Sequence, residues 1–432
     1  MCVMPAERPA FHRTDRDDGP WGLGAKAYGR KSYGGMMIGI SKLYLGKVEV
    51  SDPLRYGRKS TSLPSHLLQF SEDKKPVVVW NVTSRCNLKC THCYAATEGT
   101  PEELTTHEAI AVIDDLAAFA CPVLLFSGGE PFVRPDILTL AHHAAAKGLR
   151  VVFSTNGTLI DERLAAEIKA VGVSYVGISI DGMEAVHDRF RASPGAFQRA
   201  LAGIRHCRDA GVKVGLRVTM TKDNVGEIPS IFDLMEAERI PRICLYHLVY
   251  CGRGAEIATH DLTHAQRRET VDLIIERTAQ LHARGFPVEV LTVDNHCDGP
   301  YLYLRMTREN NPLAEDVMTL LRMNGGNSTG QGIGCISWDG TVYPDQFWRN
   351  KPVGNVRVRK FSAIWGQPEP GSLLALLRQK KNHVTGRCES CRFLEVCGGN
   401  FRARAEAATG DLWGVDPACY LTDDEIARHL IV

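Results

Sequence analysis

Val123-Leu-Leu-Phe-Ser-Gly-Gly-Glu-Pro131 carries the pattern on which the fold turns: an apolar run, Val123 to Phe126, ends in two glycines and an acid. A short continuous apolar run with such a break reads as a buried strand. Glycines at its carboxyl end serve where backbone must approach a ligand closely. The same rhythm of strand, polar end and helix recurs on both sides. Pro76 to Asn81, Arg150 to Ser154 followed by Thr155-Asn-Gly-Thr158, Tyr175 to Ile180 followed by Asp181-Gly182, and Arg242 to Leu248 read as strands. Thr106 to Ala120, Asp136 to Lys147, Asp161 to Ala170 and Phe197 to Ala210 read as helices between them. Such alternation predicts a parallel sheet with ligand groups gathered at the carboxyl ends of its strands. Six units are found, short of the eightfold repeat that closes a barrel. The expected fold class is therefore α/β, a partial (β/α)6 TIM-type barrel.

Just after the first strand, Arg85-Cys-Asn-Leu-Lys-Cys-Thr-His-Cys-Tyr94 sets Cys86, Cys90 and Cys93 in one short loop. A 4Fe-4S cube normally takes four thiolates, so a three-cysteine site leaves one iron open. A structural zinc site, the plain alternative, is closed by four protein ligands. The motif resembles that of the radical S-adenosylmethionine (radical SAM) enzymes, CxxxCxxC with an aromatic residue before the last cysteine, a place that His92 fills. The resemblance implies that the open iron holds the methionine moiety of SAM and that electron transfer yields a 5′-deoxyadenosyl radical, while the protein supplies position and shielding. It also implies backbone contact at Gly128 and Gly129, and a charge-assisted pairing of Glu130 with the SAM ammonium. Ser179 is placed by it near the ribose, and Arg191, in His187-Asp-Arg-Phe-Arg191, near the carboxylate, which suits a guanidinium. Tyr94, Ser154 and Asn156 complete the expected cofactor contacts. Taken singly, Ser179 is equally a strand end and Arg191 a solvated helix charge; their order along the chain is what favours a site.

Near the C-terminus, Cys388, Cys391 and Cys397 follow CxxCxxxxxC spacing and Cys419 comes later in Asp416-Pro-Ala-Cys-Tyr420. Four thiols make a closed site. They resemble the second auxiliary cluster of SPASM-type extensions, which implies a second 4Fe-4S cluster; zinc is the competitor there. A full SPASM module carries a further cluster, but upstream there is only Cys335, with Asp345 and Phe401 where partner cysteines would stand. One auxiliary cluster is therefore expected, with Cys335 as a spare thiol, an alternative fourth ligand or a substrate contact.

Composition fits an enzyme with a large core: 432 residues, net charge +1 and 44% hydrophobic residues, enough for two or three domains. Nothing points to nucleic acid as a partner. Fourteen cysteines in a chain of this length with no evident signal peptide suit metal-binding thiols in a reducing cytoplasm. No apolar run approaches the roughly 20 residues of a membrane span. Cys2, Cys121, Cys207, Cys244, Cys251 and Cys297 show no cluster spacing, and most read as packing residues. Residues 1–36, rich in Gly, Arg, Asp and Pro, are expected to be a disordered tail, with Met37 an alternative start. Residues 37–75 form an N-terminal substrate-side segment, 76–261 the barrel, 262–332 a bridging region and 333–432 the cysteine-rich extension. The bridging region ends in Asn324-Gly-Gly-Asn-Ser-Thr-Gly-Gln-Gly-Ile-Gly334, which reads as a lid, a substrate-hugging loop or a linker.

From Met37 onward the chain resembles the tetrapyrrole-modifying radical SAM enzymes, through Met37 to Tyr44, Leu63 to Trp80, Asn324 to Trp348, and Cys397-Gly-Gly-Asn-Phe-Arg-Ala-Arg-Ala405 to Glu425. The N-terminal stretch looks most like the 12,18-didecarboxysiroheme deacetylases of siroheme-dependent haem synthesis. Those remove two acetate arms to give iron-coproporphyrin III. The haem d1 enzymes, which act on propionates of a related macrocycle, share the C-terminal stretch. The resemblance implies an external reductant such as flavodoxin or ferredoxin, a surplus electron from bond cleavage, and an auxiliary cluster as its conduit. A flat apolar disc rimmed with carboxylates asks for a wide slot edged with cations, for which Arg55, Arg58, Lys59, His66, Arg402 and Arg404 are candidates. A histidine is expected on the substrate iron, but the sequence does not choose among 15. A SPASM-type peptide maturase would need a peptide-clasping domain that residues 1–75 are too short and irregular to supply. A non-enzymatic iron-sulfur scaffold would not need Glu130, Ser179 and Arg191.

Overall fold

A computed structural model describes residues 37–46, 75–95 and 102–427. The expectations for the tail, and for Arg55, Arg58, Lys59 and His66, lie outside the described residues.

One mixed sheet organises the described chain. Its strands are β1 (Met37–Gly39), β2 (Val77–Asn81), β3 (Val123–Ser127), β4 (Arg150–Thr155), β5 (Tyr175–Ser179), β6 (Val214–Met220), β7 (Arg242–His247), β8 (Glu289–Val293), β9 (Ile333–Ile336), β10 (Thr341–Tyr343) and β11 (Gly354–Asn355). They lie in the order β1-β8-β7-β6-β5-β4-β3-β2-β9-β10-β11. From β2 to β8 each strand pairs in parallel with the next along the chain. This is the parallel βα array the alternating pattern predicts, and it does not close on itself.

The outer face of the strands is apolar and covered by helices. Trp80, Phe126 and Phe153, on adjacent strands, are fully buried with ring centroids 5.9 and 5.5 Å apart in sequence along the sheet. Because side chains alternate across a strand, their neighbours Val79, Leu125 and Ser154 face inward and line a cavity. Helix starts are marked locally. Thr105 and Glu108 form a capping box before Thr106–Ala118, and Thr263 with Gln266 forms another before His264–Ala283.

The sheet runs further than the six-unit reading. The 20-residue helix His264–Ala283 acts as one more crossover and delivers β8 parallel to β7. β1 then covers the outer edge of β8, with Met37 opposite Val293. On the other side β9 pairs in parallel with β2, setting Cys335 opposite Val79. The partners of β8 are decided by long-range pairing.

The C-terminal segment is fastened to the barrel by a buried ion pair. Arg404 donates to Asp416 at 2.8 and 2.9 Å, to the carbonyl of Leu248 at 3.0 Å and to that of Asp294 at 2.8 Å. Arg402 donates to the carbonyls of Gly414 and Gly399. Both guanidinium groups are fully buried, which corrects their reading as cations on a substrate rim: they close strand and loop ends instead. Removing the guanidinium would strand a buried carboxylate. Arg404→Ala is expected to destabilise the fold by about 3–5 kcal/mol, seen as a lowered thermal midpoint, whereas Arg85→Ala, half exposed and paired to Glu103, should leave it nearly unchanged.

Candidate functional site

The cysteine loop lies across the carboxyl ends of β2 and β3 because two glycines let it. Gly128 has φ +131°, and a Cβ there would stand 2.6 Å from the Thr83 carbonyl oxygen; a Cβ on Gly129 would stand 2.1 Å from that of Arg85. Through this gap the N–H of Gly129 donates to Thr83 O at 2.8 Å and that of Glu130 to Arg85 O at 2.9 Å. The glycines thus seat the loop, and the N–H of Gly129, expected to meet a ligand, is committed to Thr83. Asn156 holds the loop from the side: its Nδ2 donates to Asn87 Oδ1 at 2.8 Å, and Asn87 Nδ2 donates to Thr158 Oγ1 at 2.9 Å.

The thiols of Cys86, Cys90 and Cys93 border an open cavity of about 150 Å³ over the strand ends, shared with Gly128, Gly129 and Asn156. Burial pushes the Cys86 thiol up to about 12, reinforced by Glu130, Cys90 and Cys93, so the groups stand close together. Ser154 and Ser179 face the same space from β4 and β5. Tyr94 lines the cavity too. Its hydroxyl donates to Asn81 Oδ1 at 3.1 Å and shares a bond with Ser127 at 3.0 Å, and its ring meets Phe347 edge-on at 5.1 Å.

Glu130 is fully buried. Its carboxylate accepts from Thr155 Oγ1 at 2.8 Å, Asn156 N–H at 2.9 Å and Phe132 N–H at 3.2 Å. Burial nonetheless pushes it up to about 7, against those bonds. An acid so placed, beside three thiols and with three fixed donors, suits a cationic ligand that completes its charge.

Across the cavity a polar knot forms around Asp181. Arg191 Nη2 pairs with Asp181 Oδ2 at 2.5 Å while its Nη1 donates to Cys90 Sγ at 3.5 Å. Burial alone would raise Asp181, but Arg191 and His92 hold it below the usual carboxylate range. His92 Nε2 lies 3.6 Å from Asp181 Oδ2. Burial lowers His92 to about 4, so at neutral pH the ring is uncharged and this contact is no ion pair. The ring also packs on Phe190 at 5.4 Å. Asp181 was quoted from the sequence only as a strand end; its role as the partner of Arg191 and His92 needs the fold to be seen.

Cys388, Cys391, Cys397 and Cys419 form a second group. Burial raises the Cys397 thiol well above its ordinary value, and Cys419, Cys388 and Cys391 each add to that. The glycine-rich stretch is packed beneath them: residues 326–330 are buried, Asn327 N–H donates to Cys397 O at 3.1 Å, and a Cβ on Gly326 would stand 2.3 Å from Cys397 backbone. It is therefore neither lid nor slack linker. Cys335 sits elsewhere, fully buried on β9, accepting from Asn81 Nδ2 at 3.6 Å, with Asp345, Arg349 and Cys251 around it. The groups that act most on it are thus Asp345, Arg349 and Cys251 rather than the four thiols. Sequence spacing missed a fifth thiol. Cys297, read as packing, is fully buried against Cys419; its remoteness in sequence hides it.

Residues 80–235 match the model of the Radical SAM superfamily, and residues 329–392 that of the SPASM iron-sulfur cluster-binding domain. The Fe-coproporphyrin III synthase of Methanosarcina barkeri is 58% identical over 398 residues, covering 91% of this chain and 100% of that protein. The chain belongs to the radical SAM superfamily. A second relative of this radical SAM protein, the pre-heme d1 synthase of Dinoroseobacter shibae, is 42% identical over 81% of this chain and 87% of its own length. In fold it is similar to the crystal structure of Streptococcus suis SuiB bound to S-adenosylmethionine, with a TM-score of 0.63 at 16% identity over 81% of this chain and 78% of that one. Membership implies a 4Fe-4S cluster and SAM, and the SPASM match an auxiliary iron-sulfur cluster. Among the described residues no helix is long and apolar enough to cross a membrane.

The elevated Glu130 has a measurable consequence. Below about pH 7 its neutral acid pairs weakly with an ammonium; above it the carboxylate pairs strongly. Affinity for SAM, measured by calorimetry, should therefore rise between pH 6 and 8, to about the extent that Glu130 ionises. Glu130→Gln should weaken binding by about 10- to 100-fold and flatten that rise.

Proposed function

We infer that this chain removes the two acetate side chains of 12,18-didecarboxysiroheme to give iron-coproporphyrin III in siroheme-dependent haem synthesis. The observation that carries this is the likeness to Fe-coproporphyrin III synthase along that protein's entire length. The cavity beside the three-thiol loop, lined by residues from the ends of β2 to β8, offers a site for the reaction.

When bound, the cluster and SAM supply a carbon-centred radical able to take a hydrogen atom from the substrate. The chain's own residues place and shield it. Cys86, Cys90 and Cys93 would hold the SAM-binding cluster. Glu130 takes the ammonium, with Thr155 and Asn156 fixing both carboxylate oxygens. Arg191, steadied by Asp181, stands at the carboxylate, and Ser154, Asn156 and Ser179 edge the space for the ribose. His92, neutral and packed on Phe190, fills the wall behind the loop, and Tyr94 ties that loop to β2 and β3. Cys388, Cys391, Cys397 and Cys419 would hold the auxiliary cluster. Leu125, Val79, Leu248, Val249 and Phe347 give the cavity an apolar wall that keeps water from a reactive intermediate.

The test is an anaerobic reaction of the reconstituted protein with dithionite, SAM and 12,18-didecarboxysiroheme, following 5′-deoxyadenosine and porphyrins by chromatography and mass spectrometry. Iron-coproporphyrin III is expected. Deoxyadenosine with an unchanged macrocycle would refute the substrate assignment and direct attention to the haem d1 precursor. Replacing Cys86, Cys90 and Cys93 together by Ala should abolish deoxyadenosine while the auxiliary iron remains.

Iron counting separates the auxiliary ligands. Cys419→Ala should lose about four irons per chain, whereas Cys335→Ala should lose none.

A further inference from the structure

At the carboxyl end of β8 the chain turns through Asp294, whose φ of +64° lies in the left-handed region that few residues besides Gly, Asn and Asp adopt. The side chain is 0% exposed and lines the same cavity as the cysteine loop. Neither carboxyl oxygen has a hydrogen-bond partner. An unpaired buried carboxyl is costly and rare enough in native interiors to require an explanation.

The groups around Asp294 do not neutralise it. Arg404 donates to the Asp294 backbone carbonyl, but its guanidinium is committed to Asp416. Arg217, from β6, lies over the ring of Tyr246 at 4.7 Å. Asp345 faces Asp294 as a second acid, itself accepting from Thr329 at 2.7 Å and from the N–H groups of Phe347 and Trp348. Tyr246 is a buried phenol within range of Asp294. Burial, opposed by Arg404, reinforced by Asp345 and opposed by Arg217, pushes the Asp294 carboxyl well above its ordinary range. The surroundings thus favour its protonated form.

The deacetylation needs such a proton. Loss of a hydrogen atom from the reduced ring carbon beside the one bearing the acetate arm leaves an unpaired electron there. Breaking the bond to the arm forms a ring double bond and releases a carboxymethyl fragment that now holds the unpaired electron. That fragment leaves as acetate only by gaining one electron and one proton. The electron comes from a one-electron donor of the flavodoxin or ferredoxin class; the expectation of a surplus electron is thus reversed, since the step consumes one. A carboxylic acid lining the cavity can supply that proton at the place where the fragment forms.

We propose that Asp294 is a catalytic residue, the carboxylic acid that protonates the departing acetate fragment. The proposal rests on the deacetylase reading above. Asn tolerates the left-handed backbone as Asp does, so Asp294→Asn keeps the turn and removes the acid. With the reconstituted enzyme, 5′-deoxyadenosine, iron-coproporphyrin III and acetate are quantified together. Asp294→Asn should still bind iron and form deoxyadenosine, while acetate and iron-coproporphyrin III fall by about 100-fold or more. In the wild type the ratio of acetate to deoxyadenosine should decline as pH rises and Asp294 ionises, and acetate made in D2O should carry one deuterium. Product from Asp294→Asn within a few fold of wild type would overturn the proposal. So would an acetate ratio independent of pH in the wild type, a test that stands even if the variant fails to fold, or acetate without solvent deuterium, which would mean hydrogen returns from deoxyadenosine. If the wild type makes deoxyadenosine but no iron-coproporphyrin III, the deacetylase reading fails first, and that outcome is distinct from a defect confined to Asp294→Asn.

Discussion

The close approach of residues 83–85 to Gly128 and Gly129 is the constraint on which the site depends. A side chain at either glycine would stand within 2.6 or 2.1 Å of a backbone oxygen, so only a pair lacking Cβ lets the loop settle on the strand ends. The two hydrogen bonds made there fix the loop that carries three thiols. They also turn Glu130 inward, away from water. One backbone contact therefore sets both the place of the cysteines and the acidity of the neighbouring carboxyl.

Charge in the cavity is arranged in two parts with different consequences. Asp181 and Arg191 neutralise one another at 2.5 Å, and Arg191 reaches Cys90 as well, so that side is already balanced and rigid. Glu130 and Asp294 have no such partner. Burying a carboxyl without a cation favours its neutral form, yet the two differ in kind. Glu130 has three donors that favour ionisation and lies near neutrality, ready for a cation to complete it. Asp294 has none, and its surroundings favour the protonated form. The same low-polarity space thus holds one acid suited to binding and another suited to giving up a proton.

Much of this was legible in the sequence because it is local. The strand ending at Ser127, the helix starting at Thr106, the CxxxCxxC spacing and the CxxCxxxxxC group are each contained in a short window, and the structure has that strand and that helix where the pattern predicts them. What was not legible depends on contacts distant along the chain. Arg402 and Arg404 read as cations on a substrate rim, and their burial is explained only by the carbonyls of Gly399 and Gly414 that meet Arg402 and by Asp416 and the β7 and β8 ends that meet Arg404. Cys297 has no spacing partner, so its place against Cys419 requires the fold. The glycine-rich stretch before Gly334 looked mobile by composition, but Gly326 is there because Cys397 backbone passes close by. Asp294 carries no motif at all; what distinguishes it is the absence of a partner in a buried place.

The barrel and the C-terminal extension share one continuous sheet, and this has a chemical consequence. β9 extends the sheet beyond β2, while Arg404 binds the carbonyls at the ends of β7 and β8 to Asp416, close in sequence to Cys419. The extension is thus held at both flanks of the strand array rather than tethered by a linker. Neither flank can shift without breaking parallel pairing or a buried ion pair. A rigid frame suits a reaction in which a hydrogen atom, an electron and a proton move in sequence at one carbon framework, because each transfer tolerates little error in position. The residue that turns the chain at the Arg404 contact is Asp294, so the interaction that joins the extension to the barrel also orients the acid within the cavity.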